Sequence, residues 1–254
     1  MMALKRLRND KIKLVNIKHF KMATEHIYKQ YDEDLEEIRA NIIKMGAIIE
    51  EQIRDAVNAL EDIDTKLAQK VIDRDNDINE LETQIDSDCS LIIAKRAPQA
   101  KDLRTVLMML RMSNDLERMG DESSKVAEAV LRINESSRTA KPKIKTVKKI
   151  AALVLEMLKK SLDAFGTLDT DEIVQILEGD KEVDEEYHSY TRELLTFMME
   201  DPRTISSSLE LIFVTKALER IGDHIKNISQ AIVYIVKGRN VSHASIKEIK
   251  KTIN

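Results

Sequence analysis

Two pairs of carboxylates, each with four-residue spacing, are the residues of this chain best placed to do chemistry. Glu117 and Asp121 lie in Leu116-Glu117-Arg118-Met119-Gly120-Asp121, and 102 residues later Glu219 and Asp223 lie in Leu218-Glu219-Arg220-Ile221-Gly222-Asp223. Residues four apart share one face of an α-helix. Each pair therefore presents its oxygens to one side, as ligands of a hard cation must be presented. One such pair carries little weight, because 45 acids among 254 residues would produce about eight by composition alone. A hexapeptide met twice is an internal repeat, and a repeat puts the same chemistry at the same point of two units. Each copy also sets a glycine between its acids, where it costs about 1 kcal/mol relative to alanine. Close approach of a backbone or a ligand is the expected reason.

The elements that must hold these acids are helices. With the hexapeptides aligned, Met109, Met112, Leu116, Met119, Val126, Val130 and Ile133 fall on Leu211, Val214, Leu218, Ile221, Ile228, Ile232 and Ile235, a 3-4 apolar stripe twice over. Further stripes predict helices at about 24–61, 66–96, 144–165 and 171–200, with turns at Asp62-Ile63-Asp64-Thr65, Pro98, Gly166–Thr170 and Asp201-Pro202. Asp64 is placed to cap the second helix. The expected fold is all-α: two pseudo-symmetric three-helix bundles, six helices in all, packed antiparallel within each copy. The corresponding division is a basic extension at 1–21, a first bundle at 22–140, a second at 141–240 and a polar tail at 241–254, with Lys141-Pro142-Lys143 between the halves.

An antiparallel hairpin brings together residues equidistant from its turn. The first acid pair is centred on 119, and reflection through Pro98 gives 77, inside Asp73–Asn79; the second, reflected through 201/202, gives about 182, inside Glu178–Asp184. Both reflections strike acids, and aligning the copies matches Asp75 with Asp180 and Asn79 with Asp184. Glu117, Asp121, Asp75 and Asn79 are thus expected to face one another across one groove, and Glu219, Asp223, Asp180 and Asp184 across the other. Gathered oxygens repel unless a cation joins them. The expected cofactor is a divalent or trivalent metal ion (iron, manganese, magnesium or zinc), bound through oxygen rather than at a Cys/His zinc site. His224, beside Asp223, offers one nitrogen ligand in the second half. The alternative is that these acids are solvated or paired with Arg74, Arg104, Arg118, Lys125, Arg220 and Lys226.

Composition narrows the function. Charged residues make up 34% and aromatics 4%, and the net charge of −4 is spread without a basic face, which argues against nucleic acid. The longest apolar runs, such as Ala231–Val236, are far short of a membrane span. No secretory signal is recognisable, and one cysteine, Cys89, fits a reducing cytoplasm. The first 21 residues carry seven Lys/Arg against one acid, a solvated tail or a contact for anionic lipid or an acidic partner. A di-iron storage or oxidase bundle would need two Glu-x-x-His motifs, and only Glu185–His188 supplies one. A purely structural helical scaffold is the other alternative.

With these residues placed, the chain resembles the PhoU family of phosphate-uptake regulators over about 26–238. Gln30-Tyr31-Asp32-Glu33-Asp34-Leu35, Asp102-Leu103-Arg104, Leu116–Asp121 and Ala217–His224 carry the resemblance. It implies paired three-helix bundles, commonly homodimeric, with metal clusters on Glu/Asp-x-x-x-Asp motifs. By position the ligands would be Glu117, Asp121 and Asp75, then Glu219, Asp223, Asp180 and Asp184; Asn79 departs from a full carboxylate set. The resemblance also implies a non-enzymatic, cytoplasmic adaptor. It would couple the ATPase subunit of a phosphate ABC transporter to a sensor histidine kinase, peripheral to the membrane complex, and keep phosphate-starvation genes off. The basic extension lies outside the usual family pattern.

Overall fold

The structure, a computed structural model, describes the backbone of residues 2–135 and 144–253 and the side chains of residues 30–135 and 144–253. All regular elements among them are helical. They are α1 (Met2–Asp62), α2 (Thr65–Arg96), α3 (Lys101–Glu135), α4 (Lys145–Thr167), α5 (Ile173–Glu200), α6 (Ile205–Lys237) and α7 (Ile246–Ile253), with a 3-10 turn at Pro202–Thr204. α1, α2 and α3 pack on one another, as do α4, α5 and α6. The all-α, duplicated three-helix plan is what the stripes predict. Ile38, Ile42, Met45, Ile49, Ile53 and Ala56, the apolar stripe of α1, are all buried.

Local signals explain most boundaries. The Asp64 carboxylate accepts from the Lys66 and Leu67 amides at 2.9 and 3.1 Å, satisfying two donors that the first turn of α2 leaves free. The turn before it is duplicated: Ile63 and Leu168 both adopt left-handed backbone, at φ 54° and 53°. Asp169 accepts from the Asp171 amide, but α5 starts only at Ile173. α6 ends at Gly238, whose φ of 70° suits a residue without a Cβ. α1 begins at Met2 rather than near Thr24, since no proline or glycine precedes Gly46 to interrupt it. Side chains of the basic extension, and the Lys141-Pro142-Lys143 boundary, lie outside the described residues. In the tail, Ser245 and Glu248 form a reciprocal capping box (Ser245 amide to Glu248 Oε2, 2.8 Å; Glu248 amide to Ser245 Oγ, 3.4 Å) that starts α7. Val241, Ile249 and Ile253 are buried, so the tail is part of the bundle.

The halves do not keep separate cores. Their buried apolar residues form one continuous cluster, because α3 packs along α6 and α1 against α4. The α3–α6 seam is antiparallel and cross-linked. Arg132 Nε reaches Glu210 Oε2 at 2.9 Å, Arg220 Nη1 reaches Glu122 Oε1 at 2.9 Å, and Arg104 Nη2 donates to the Ile235 carbonyl at 3.3 Å. Where α1 crosses α4, a Cβ on Gly46 would lie 2.5 Å from Leu162 Cδ2, closer than real contacts allow. Gly166 meets nothing nearer than Ile43 Cδ1 at 3.7 Å. Gly46→Val should therefore cost about 1–3 kcal/mol by overpacking, whereas Gly166→Ala should be neutral or stabilising by up to about 1 kcal/mol. Urea denaturation followed by circular dichroism measures both.

Candidate metal centre

In the first half the predicted set comes together across the α2–α3 groove. Asp75 and Asn79 project from α2, Glu117 and Asp121 from α3. Burial first, and then the charge of Asp121, pushes the Asp75 carboxyl above its ordinary value, against hydrogen bonds from Asn79, Ser124 and Gln52. Glu117 is raised in the same way, by burial and then Asp121, with Arg118 opposing. These acids therefore feel one another, as the reflection through Pro98 requires. Their hydrogen bonding is thin. Asn79 Nδ2 donates to Asp75 Oδ2 at 3.4 Å and Ser124 Oγ to Asp75 Oδ1 at 3.5 Å. Glu117 Oε2 is buried without a hydrogen bond, its nearest cation being Arg118 Nε at 3.3 Å. Arg118 also reaches Asp121 Oδ2 at 3.4 Å, from a side chain that is 54% exposed. Such an exposed pair contributes little.

The second half assembles differently. Asp180 is 3% exposed, and Lys226 Nζ sits 2.7 Å from its Oδ2 and 3.6 Å from Asp223 Oδ1. Burial alone would lower the Lys226 pKa, but the hydrogen bond and charge of Asp180 outweigh it and the ammonium is held charged. Lys216 Nζ clamps Glu219, at 2.7 Å from Oε1 and 2.6 Å from Oε2. Burial, then Glu219 and Asp223, raises Asp184, with Lys226 and His188 opposing. The four predicted acids thus share a groove here too, with the chain's own cations among them.

His224 is not directed into this set. Its Nδ1 lies 2.9 Å from Asp115 Oδ1 on α3, and Asn227 Nδ2 donates to the same oxygen at 3.1 Å; the ring serves the seam between the halves. Neither hexapeptide glycine has another helix's backbone as its nearest neighbour. A Cβ on Gly120 would meet the Ile78 side chain at 2.8 Å and Asp75 Oδ1 at 3.3 Å, whereas on Gly222 it would find ordinary contacts, the nearest Val183 Cγ1 at 3.6 Å. Side chains, not a backbone, approach them, and only Gly120 is sterically required. Among the described residues, no three His, Cys, Asp or Glu side chains converge tightly enough to hold one ion as they stand. The oxygen donors and the orphaned Glu117 Oε2 nevertheless fit a cation in the first groove. Lys226 and Arg118, two of the cations expected as alternative partners, do pair with these acids, whereas Ser124 and Lys216 are neighbours that spacing alone does not single out.

A duplicated all-α bundle with an acid pair in each hairpin groove is the class of protein that the fold and site define. The PhoU domain family matches residues 42–130 and 147–232. The phosphate-specific transport system accessory protein PhoU homolog of Pseudomonas aeruginosa is 41% identical over 230 residues, 91% of this chain and 95% of that protein. The Escherichia coli (strain K12) accessory protein PhoU is 40% identical over 228 residues, 90% of this chain and 94% of that one. The crystal structure of PhoU from P. aeruginosa superposes with a TM-score of 0.79 at 42% identity, over 82% of this chain and all (100%) of that one. The phosphate transport system regulatory protein PhoU from Streptococcus pneumoniae gives 0.76 at 29% identity, over 84% and 99%. The chain belongs to the PhoU family.

The raised carboxyls have a consequence for stability. A folded-state pKa above the unfolded value means that the folded chain holds the proton more tightly. The stabilisation is complete below the unfolded pKa of about 4 and is lost as pH rises through the folded value. Asp75 and Glu117 therefore make the metal-free protein less stable at neutral than at mildly acidic pH. Asp75→Asn should raise the melting temperature at pH 7 by a few degrees and flatten its fall between about pH 4 and 7. Thermal melts in chelator across that range test it; parallel curves for the two proteins would count against the charge repulsion.

Proposed function

We propose that this chain is a non-enzymatic regulator of phosphate uptake: a metal-binding helical adaptor that couples a phosphate ABC transporter to a sensor histidine kinase and represses the phosphate-starvation response. The observation that carries this reading is family membership across about nine-tenths of the chain, with relatives named as transport accessory proteins that match it nearly end to end. The local chemistry agrees with an adaptor. Cys89 is buried, and burial pushes its thiol up to about 12, which removes it as a nucleophile at neutral pH. No described helix is long and apolar enough to cross a membrane. Contact with the transporter would then be peripheral, through its ATPase subunit on the cytoplasmic side, with the protein acting as a homodimer.

The metal would be a divalent or trivalent ion suited to oxygen, with iron, manganese, magnesium and zinc as candidates. Asp75, Glu117 and Asp121 would hold it in the first groove; Asp180, Asp184, Glu219 and Asp223 are the corresponding acids of the second. Bound there, an ion supplies positive charge that offsets the carboxylate repulsion and fixes two helices relative to each other. It also leaves open coordination positions at which a partner's carboxylate or phosphate can dock. Capture experiments with the tagged chain should retain both the transporter ATPase subunit and the kinase sensor domain. Chelator, or Glu117→Gln with Asp121→Asn, should weaken that capture about tenfold. In a strain lacking its own copy, the gene should silence a phosphate-starvation reporter in high phosphate. A reporter that stays on, or capture of neither partner, would exclude the adaptor role.

A further inference from the structure

By carboxylate count the second groove, with Asp184 where the first has Asn79, should be the stronger metal site. The side chains around the acids reverse that ranking. At the 102-residue offset that superposes the two hexapeptides, Lys226 stands where the first half has Ser124, and Lys216 where it has Asn114. Both lysines are engaged. Lys226 Nζ holds the almost wholly buried Asp180 at 2.7 Å, and Lys216 Nζ holds both oxygens of Glu219. Their first-half counterparts are neutral. Ser124 gives Asp75 only a long 3.5 Å hydrogen bond, and Glu117 Oε2 is buried with none. Among the described residues, the cation in contact with the first set is Arg118, half exposed and at 3.3 Å or more from both acids. Its counterpart Arg220 is turned away to Glu122 on α3.

We propose that the two grooves are unequal: the α2–α3 groove takes the metal ion, and in the α5–α6 groove Lys226 and Lys216 stand in the ion's place. A metal and an ammonium compete for the same carboxylate lone pairs. Entry to the second groove means stripping Lys226 from a buried acid, and the separated charge is costly there. Entry to the first means moving a solvent-exposed guanidinium aside, which costs little. The duplicated chain thus has one half open to metal and one in which its own lysines already occupy the oxygens of Asp180 and Glu219. This inference rests on the metal-adaptor reading above.

Titration calorimetry of the full chain with manganese(II), together with the metal content of the dialysed protein, tests it. Wild-type binding should be lost in Glu117→Gln/Asp121→Asn and stay within about twofold in Glu219→Gln/Asp223→Asn. Lys226→Ser should add a second saturable phase that disappears when Glu219→Gln is combined with it. Ser124→Lys, in the other half, should weaken wild-type binding about tenfold or more; it reads the same idea without disturbing Asp180, should Lys226→Ser fail to fold. Equal loss from the two double variants would overturn the inequality while leaving metal binding intact, as would Ser124→Lys binding like wild type. Absence of binding in wild type and every variant would instead remove the metal reading, and this inference with it.

Discussion

Contact between α3 and α6 governs the rest of the molecule. Each is the most enclosed helix of its half, packed against both neighbours and against the other, and each carries one of the acid hexapeptides. The seam is unusual in burying charge: Glu122 is 3% exposed and Asp115 7%. Buried carboxylates are tolerable only when paired. Glu122 is met by Arg220 from across the seam and by Lys125 from its own helix, at 2.9 and 2.8 Å; Asp115 is met by His224 and Asn227. Sliding one helix by a turn would break all of these together. The seam thereby fixes register, and with it the placing of the two grooves on either side.

Register and level are legible in the amino-acid sequence. Apolar stripes identified the helices, Asp64 and Pro98 marked a start and a turn, and reflection through the hairpin turns found Asp75 and Asp180 opposite the hexapeptides. Those inferences succeed because helix period and hairpin geometry leave little freedom once the turns are located. What spacing cannot supply is the direction of a long side chain. His224 is adjacent to Asp223 in sequence but about 100° away around the helix, which turns it to α3. Lys226, one turn beyond Gly222, comes back onto Asp180. Ser245-x-x-Glu248 is a capping box that a reading of the tail as merely polar overlooks. The merging of two expected cores into one follows from the rotation of α3 and α6 about their axes, which no single helix pattern specifies.

The grooves show how the same acids can serve opposite ends. Carboxylates brought level by duplicated hairpins must be neutralised, protonated or left repelling. The second half uses lysines, and Lys226 is held charged by the acid that it serves. Asp75 and Glu117 in the first half and Asp180 and Asp184 in the second all have raised carboxyl pKa values, burial being the largest cause, but among the described residues only the first half leaves a buried carboxylate oxygen, Glu117 Oε2, without a hydrogen bond. That oxygen sits on a groove wall where Gly120 admits the Ile78 side chain closely. Lysine-clamped and largely unclamped carboxylates therefore coexist in one fold, built from nearly identical hexapeptides.

Because one apolar cluster runs through both copies, neither copy is complete by itself. A 100-residue half cut free would expose the inner faces of α3 or α6 along with the buried acids of the seam, and would seek a replacement for its missing twin. The duplication consequently behaves less like two beads on a string than like a dimer whose subunits have been tethered. What holds it together as a unit lies between the copies, in the shared apolar cluster and the ion pairs of the α3–α6 seam.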